Sequence, residues 1–379
     1  MADERGAINK SGPSSTYGAT ENNGESGGTR GASATEDVIV IQDSGWYFIK
    51  FRFKEPFAEF LGTFILVAFG VGAIAQTVLS KGATGNWITI ALGFGLGLTL
   101  GIAVSGHYSG GHLNPAVTIT LAIYRKFPWV KVPIYITAQV LGAFVAAAVI
   151  YLNYVPAIYN FAGDKRDVIG ANATAGIFAT YPQPFMSIGG AFFSEALGTF
   201  FLLLVILAVT DERNVPTTRI VAPITIGLTL TAIAISLGFE TGFSLNGARD
   251  FGPRLFTFFI GYGVEVFTAY KFYFWVPLVA PIVGGLVAGF VYDSLLYWGE
   301  KSFLNKNVHH EHRAEVIELK DIKSNSRKYS DESGQEQHAK DVVTNEETVK
   351  PIVSRIPKVL FVDQYGHEMI LLQDLKSKI

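Results

Sequence analysis

Six apolar stretches divide the chain, at about 56–80, 87–105, 131–152, 190–210, 219–239 and 273–298. Each has the roughly 20 residues that a helix needs to cross a ~30 Å hydrocarbon core. Two shorter apolar runs lie among them, about 114–124 and 246–260. Each opens on an asparagine followed by small residues, Asn114-Pro115-Ala116 and Asn246-Gly247-Ala248. Asparagine is a favoured N-cap, and proline at the next position is pre-set for the first helical turn. Ten or eleven helical residues rise about 16 Å, roughly half of the core. Two such half-helices entering from opposite faces would meet near the midplane with both asparagines in the middle. That geometry is a pore rather than an enzyme pocket. The predicted fold is an all-α membrane protein of six transmembrane helices plus two re-entrant half-helices.

The apolar pattern also repeats. Ala58-Glu59-Phe60-Leu61-Gly62-Thr63-Phe64 returns as Ser194-Glu195-Ala196-Leu197-Gly198-Thr199-Phe200, each some fifty residues before its Asn motif. Three spans per copy is an odd number, so the second copy enters the membrane from the opposite face. An inverted repeat results, with the functional site where the copies meet. Repeat one covers about 56–152 and repeat two about 190–298, within a channel domain of residues 46–298. In the second span, Gly93, Gly97 and Gly101 recur every fourth residue, a spacing that lets neighbouring helices approach closely. The same run superficially suggests a phosphate loop but lacks the strand–turn–helix setting.

Outside these limits the composition changes. Residues 1–45 are rich in Gly, Ser, Thr, Asn and Glu and read as a disordered tail, and 299–379 read as a polar, largely disordered one. Just before the first span, Trp46 to Lys54 alternates aromatic and basic residues, as a membrane-interface anchor does. No basic n-region followed by an apolar run starts the chain, so the first span is expected to act as the insertion signal. Lys50, Arg52, Lys54, Arg125, Lys126, Lys131, Arg213, Arg219, Lys301 and Lys306 all fall on one side of the spans; the other side has Lys81, Lys165, Arg166 and Lys271. The positive-inside rule places both termini in the cytoplasm. Asn172-Ala173-Thr174 then falls in an outer loop, 153–189, as a possible glycosylation acceptor.

Charge and cysteine content narrow the function. Only 16% of the 379 residues are charged, and the formal net charge of −2 argues against nucleic acid as a partner. With no cysteine, disulfides, thiolate catalysis and Cys-based metal sites are excluded. His309-His310-Glu311-His312 is better read as solvated tail than as a metal site, for no ligand cluster accompanies it. Ser324, Ser326, Ser330 and Ser333 stand among charges where phosphorylation would regulate the protein. The last stretch, from Val359 to Leu372, is more apolar and could dock on a partner or on the channel's inner face. No metal, no cofactor and no catalytic residue is expected.

Six polar residues stand out inside the apolar frame. Asn114 and Asn246 each offer an amide donor, backed by a half-helix N-terminus with roughly half a positive charge. Glu59 and Glu195 lie within spans, where an acid costs about 2.5–3.5 kcal/mol on insertion scales. They are either a proton relay or acceptors for the backbone of the re-entrant loops; their symmetric placement favours the second. Arg249, three residues into the second half-helix, would repel cations and donate to a polar solute. Asp250 sits beside it in the first turn, where an acid is favourable.

The run Gly111-His112-Leu113-Asn114-Pro115-Ala116-Val117-Thr118 and the run Asn246-Gly247-Ala248-Arg249-Asp250-Phe251-Gly252-Pro253-Arg254 resemble the paired Asn-Pro-Ala boxes of the aquaporin superfamily. Asp250 after the arginine, and the stretch from Gly261 to Phe290, resemble the aquaglyceroporin branch, of fungal type in its long tails. The resemblance covers about residues 55–298. It implies passive conduction of glycerol, small polyols and water, a homotetramer with one pore per subunit, and a multi-pass protein of the plasma membrane. Counting from the boxes, it carries the outer selectivity filter onto Phe94, Ala234, Phe243 and Arg249; loop support is expected of Glu59, Glu195, His112 and Asp250. Ala234 falls where water-selective members have a histidine. Gly247 departs from the family's proline, which implies a wider or more mobile midplane. The alternatives are a water-selective aquaporin, a proton-coupled transporter using Glu59 and Glu195, and a membrane scaffold whose tails do the work.

Overall fold

The computed structural model describes residues 45–214, 221–305, 360–362 and 368–370. The histidine run at 309–312, the four tail serines and most of both tails lie outside these residues. Gly45–Arg52 forms a short helix, α1, that exposes Trp46, Phe48 and Phe51. It makes a unit by itself. Near the other end, β1 (Leu360–Val362) pairs antiparallel with β2 (Glu368–Ile370), Leu360 opposite Ile370.

The first repeat is α2 (Lys54–Leu79), α3 (Trp87–Ser109), the half-helix α4 (Pro115–Tyr124) and α5 (Val132–Ala162). The second is α6 (Ile188–Val209), α7 (Val221–Leu237), the half-helix α8 (Gly247–Thr257), then α9 (Glu265–Phe272) and α10 (Val276–Leu295). Five of these segments are long and apolar enough to cross a membrane by length and composition. α7, the remaining span, is apolar and has 17 described residues. The chain is an integral multi-pass membrane protein.

Packing follows the repeat. α2 lies on α3 and α5, as α6 lies on α7 and α10, and α3 meets α7 across the centre. Each half-helix packs on the last span of the other repeat, α4 on α10 and α8 on α5. α3 approaches α2 closely through its glycine row. A Cβ on Gly97 would lie 2.9 Å from the Leu66 carbonyl oxygen, and one on Gly101 would lie 2.6 Å from that of Gly62. Leu96, Leu100 and Val104, offset from that row around α3, are exposed, as a lipid-facing surface requires.

Two boundaries differ from the pattern-based ones. α5 runs to Ala162 through Pro156, so the outer loop is shorter than 153–189. An interior proline costs about 3 kcal/mol, and the fully buried Ile158 and the stack of Arg166 on Tyr159, 4.7 Å to the ring centroid, hold the extra turns in place. The second half-helix ends at Thr257 and passes into a wide turn, Phe258–Tyr262, where Gly261 takes φ 108°.

Candidate functional site

Each half-helix begins in the same way. The chain leaves the preceding span, turns through a left-handed leucine, Leu113 at φ 52° or Leu245 at φ 53°, and extends at the asparagine. Asn114 caps α4 by accepting from Ala116 N at 2.8 Å; Asn246 caps α8 by accepting from Ala248 N at 2.9 Å and Arg249 N at 3.2 Å. Pro115 occupies the first position of α4. The two amides then cross. Asn114 Nδ2 donates to the Leu245 carbonyl at 2.8 Å, and Asn246 Nδ2 to the Leu113 carbonyl at 2.7 Å. Each NH₂ group carries two hydrogens, so one on each asparagine is left after the crossing bond.

A buried carboxylate holds the backbone of each loop. Glu59 accepts from His112 N (2.9 Å), Leu113 N (2.8 Å), Ser109 Oγ (2.6 Å) and Gln139 Nε2 (2.7 Å). Glu195 accepts from Ser244 N at 3.0 Å and Leu245 N at 2.7 Å. Backbone donors at membrane depth need such partners, because no water is there to replace them. Gly62 and Gly198, each three residues after its glutamate, leave the space that the Leu113 and Leu245 side chains fill. The His112 ring pairs through Nδ1 with the Thr118 hydroxyl at 3.2 Å and packs between Phe127 and Tyr135.

These parts surround a cavity of about 90 Å³, several times the roughly 10–15 Å³ that one water centre needs. It follows Phe94, Leu98 and Ile102 down α3 and Leu202, Ile206 and Thr210 down α6. Eight residues of helix rise about 12 Å. Asn114 and Asn246 are on its wall, and Phe94, Phe243 and Arg249 close one end. There the Phe94 and Phe243 rings meet edge to face at 5.3 Å, and the Arg249 guanidinium carbon lies 4.7 Å from the Phe94 centroid. Arg249 Nη1 donates to the Phe178 carbonyl at 2.8 Å, while Nε has no hydrogen-bond partner among the described residues. This end therefore offers two apolar faces and an unused cationic donor, the surfaces that suit a solute carrying both carbon and hydroxyl groups.

The remaining expected residues take other places. Ala234 is fully buried, its carbonyl accepting from the Trp87 indole at 2.8 Å, and it is not part of the cavity wall. Gly247 does not line the cavity either. A Cβ there would meet Leu278 and the Pro277 carbonyl of α10 at 3.5–3.6 Å, so the missing proline ring leaves its gap against α10 and not in the bore. Asp250 faces away from the bore. It accepts from Thr180 N and Thr180 Oγ1 and from Arg254 Nε at 2.7 Å. Arg254 also donates to the carbonyls of Val266 and Thr180, each at 2.6 Å, and lies over the Tyr181 ring at 4.5 Å. Burial pushes the Tyr181 phenol up against the opposing pull of Arg254. Asn172 is exposed, whereas the Thr174 hydroxyl two residues on is fully buried and 2.7 Å from Tyr262 Oη.

Phe178, Thr180 and Arg254 were not among the residues singled out from sequence. Arg254 was visible as a basic residue inside an apolar half-helix one turn after Asp250. Nothing local marks Phe178, which acts through its carbonyl, or Thr180, which acts through its N–H, hydroxyl and carbonyl; both are brought in from about 70 residues away.

Six membrane spans, two half-helices joined through their asparagines and a cavity running past both define a solute channel. The chain matches the major intrinsic protein family over residues 47–292 and belongs to that family. It is 97% identical over 314 residues to aquaglyceroporin-2 of Rhizophagus irregularis, covering 83% of this chain and 99% of that protein. Aquaporin-9 of Homo sapiens is 46% identical over 239 residues, 63% of this chain and 81% of that one. Among solved structures, the aquaglyceroporin from Plasmodium falciparum superposes with a TM-score of 0.59 at 41% identity, covering 64% of this chain and 96% of its own.

Proposed function

We propose that the chain is a passive channel for glycerol, small polyols and water, working as a homotetramer with one pore per subunit. The observation that carries this reading is the end of the cavity where Phe94 and Phe243 stand against Arg249 with its free Nε. The rings take the carbon backbone of a polyol and the guanidinium takes its hydroxyls, while the positive charge opposes cations. Asn114 and Asn246 supply the next donors, with Pro115, Ala116, Gly247 and Ala248 completing the two half-helix starts. Ala234 has no side chain beyond its Cβ to narrow this end. Glu59, Glu195, His112 and Asp250 hold the loops. Both glutamates already accept backbone N–H groups through both oxygens, which supports that role over a proton relay. Residues 46–298 form the channel, in the plasma membrane, with 1–45 and 299–379 as cytoplasmic tails, α1 as an interface anchor and Asn172 as a glycan acceptor.

Stopped-flow light scattering on proteoliposomes tests the reading. Fast shrinkage in an impermeant osmolyte and fast reswelling in glycerol, both unchanged when the proton gradient is collapsed, are expected. Fast shrinkage with slow reswelling would mean a water-selective pore. Flux that vanishes with the proton gradient would mean a coupled transporter.

A further inference from the structure

Where α4 ends, a second cluster ties the cavity wall to the segment that follows α10. α4 runs alongside α10, from Ala116 beside Gly285 to Arg125 beside Asp293, and so leads away from the midplane asparagines. Arg125 is the C-cap of α4. Its Nη2 donates to Asp293 Oδ1 at 2.8 Å and its Nη1 to Asp293 Oδ2 at 3.1 Å, with a further bond from Nη1 to the Tyr124 carbonyl at 2.8 Å. The Asp293 side chain is fully buried. The guanidinium carbon sits 3.8 Å from the centre of the Tyr297 ring. Beside them Tyr292 donates to Asp211 at 3.0 Å, and Asn305 Nδ2 donates to the carbonyls of Tyr297 and Gly299, folding 297–305 into a closed loop.

The cluster therefore joins the ends of α4, α6 and α10. Two of these ends carry cavity-lining residues next to it: Leu121 is one turn before Arg125, and Thr210 directly precedes Asp211. We propose that Arg125 and Tyr297 form a latch that holds Leu121 out of the bore, so that the loop after α10 sets the clear width of the pore at this end. They are positioning residues and touch no solute. The fork on Asp293 fixes the plane of the guanidinium, and a planar cation stacks on an aromatic face as a lysine ammonium cannot. Without the ring, one face of Arg125 loses its support and the last turn of α4 loosens. A wall residue that swings into the bore obstructs glycerol more than water, because glycerol fills more of the cross-section.

The inference rests on the channel reading, and the full-length chain in proteoliposomes separates the two. Glycerol and water rates are measured for the wild type, Tyr297→Ala, Tyr297→Phe, Leu121→Ala and the double variant Tyr297→Ala/Leu121→Ala. Tyr297→Ala is expected to lower the glycerol-to-water ratio by roughly threefold, equivalent to a modest added barrier for the larger solute. Tyr297→Phe keeps the ring and the wild-type ratio. In the double variant, trimming Leu121 restores the ratio, because coupled residues are not additive. An unchanged ratio in Tyr297→Ala, or a loss that Leu121→Ala does not relieve, overturns the latch while leaving the channel intact. Absence of wild-type flux overturns the channel reading and the latch with it.

Discussion

The two re-entrant loops share a backbone and differ in almost everything that hangs on it. Both turn through a left-handed leucine, both extend at an asparagine, and both lean on a glutamate three residues before a glycine. Beyond the N-cap they part. α4 reads Pro-Ala-Val-Thr-Ile-Thr-Leu-Ala-Ile-Tyr and carries no charge; α8 has Arg249, Asp250 and Arg254 within six residues. The charged half-helix reaches out to the loop before α6 through Thr180 and Phe178, and the uncharged one packs on α10. The shared features carry the backbone, the two asparagines also lining the cavity, and among the unshared ones Arg249 lines the cavity while Asp250 and Arg254 hold the loop beside it. Apart from the asparagines, repetition marks scaffold here, and departure from it marks the proposed filter.

The largest effect belongs to the shared part. Glu59→Gln and Glu195→Gln each exchange a carboxylate for an amide whose NH₂ faces backbone donors. Bonds to a charged acceptor contribute about 1.5–3 kcal/mol each, so each variant is expected to lose at least about 3 kcal/mol of stability. Thermal unfolding in detergent, followed by the monodispersity of the surviving protein, checks this. Loss in one variant with none in the other would break the equivalence of the two supports.

Next comes the clamp that only α8 possesses. Thr180→Val removes a hydroxyl donor from the buried Asp250 carboxylate and leaves the Thr180 N–H bond in place. A lost bond to a charged group costs about 1.5–3 kcal/mol. The expected result is that loss in unfolding stability together with a changed glycerol-to-water ratio, since the same loop presents the Phe178 carbonyl to Arg249. A stability loss with an unchanged ratio would detach the clamp from the filter.

These cases show what a reader of the chain can and cannot see. The apolar lengths gave six spans and two half-spans, and the echo of Ala58–Phe64 in Ser194–Phe200 gave the inversion, because burial and repetition are local in sequence. Glu59 could be located by the same means, and only its symmetry with Glu195 favoured one role over the other. A proton relay and a loop anchor need the same residue at the same depth, and the bonds to His112 N and Leu113 N add support for the anchor. Pro156 hid the end of α5, since helix propensity sets a boundary that Ile158 and Arg166 move. Thr180 was illegible for a different reason: its N–H and carbonyl are groups that every residue has, and its hydroxyl is one of many along the chain.

Ala234→His adds a ring where the present side chain ends at Cβ. Ala234 is fully buried with its carbonyl on Trp87, whose ring packs against Phe243, so the imidazole has to enter the cavity beside Arg249 or displace an aromatic ring. Glycerol flux is expected to fall about tenfold, the equivalent of about 1.4 kcal/mol of barrier, while water flux is kept. Reswelling and shrinkage rates on the same vesicles measure both. Equal losses of glycerol and water would mean a blocked pore instead of a narrowed filter.

Gly247→Pro is the smallest change and asks whether α8 differs from α4 by need or by tolerance. Three features of the site bear on it. The position is the first of its helix, where proline removes no intrahelical bond. Its φ is not positive. Nearby atoms stand no closer than 3.5 Å to an added Cβ, and they belong to α10 rather than to the cavity wall. At such a site proline stabilises by about 0.4–1 kcal/mol through the unfolded chain. The expected variant therefore unfolds at a slightly higher temperature and keeps the wild-type ratio of glycerol to water. A ratio that shifts without a change in stability would mean that the first turn of α8 uses its backbone freedom during conduction. Gly247 would then belong with Arg249 among the parts that select, and the two half-helix starts would no longer be interchangeable scaffold.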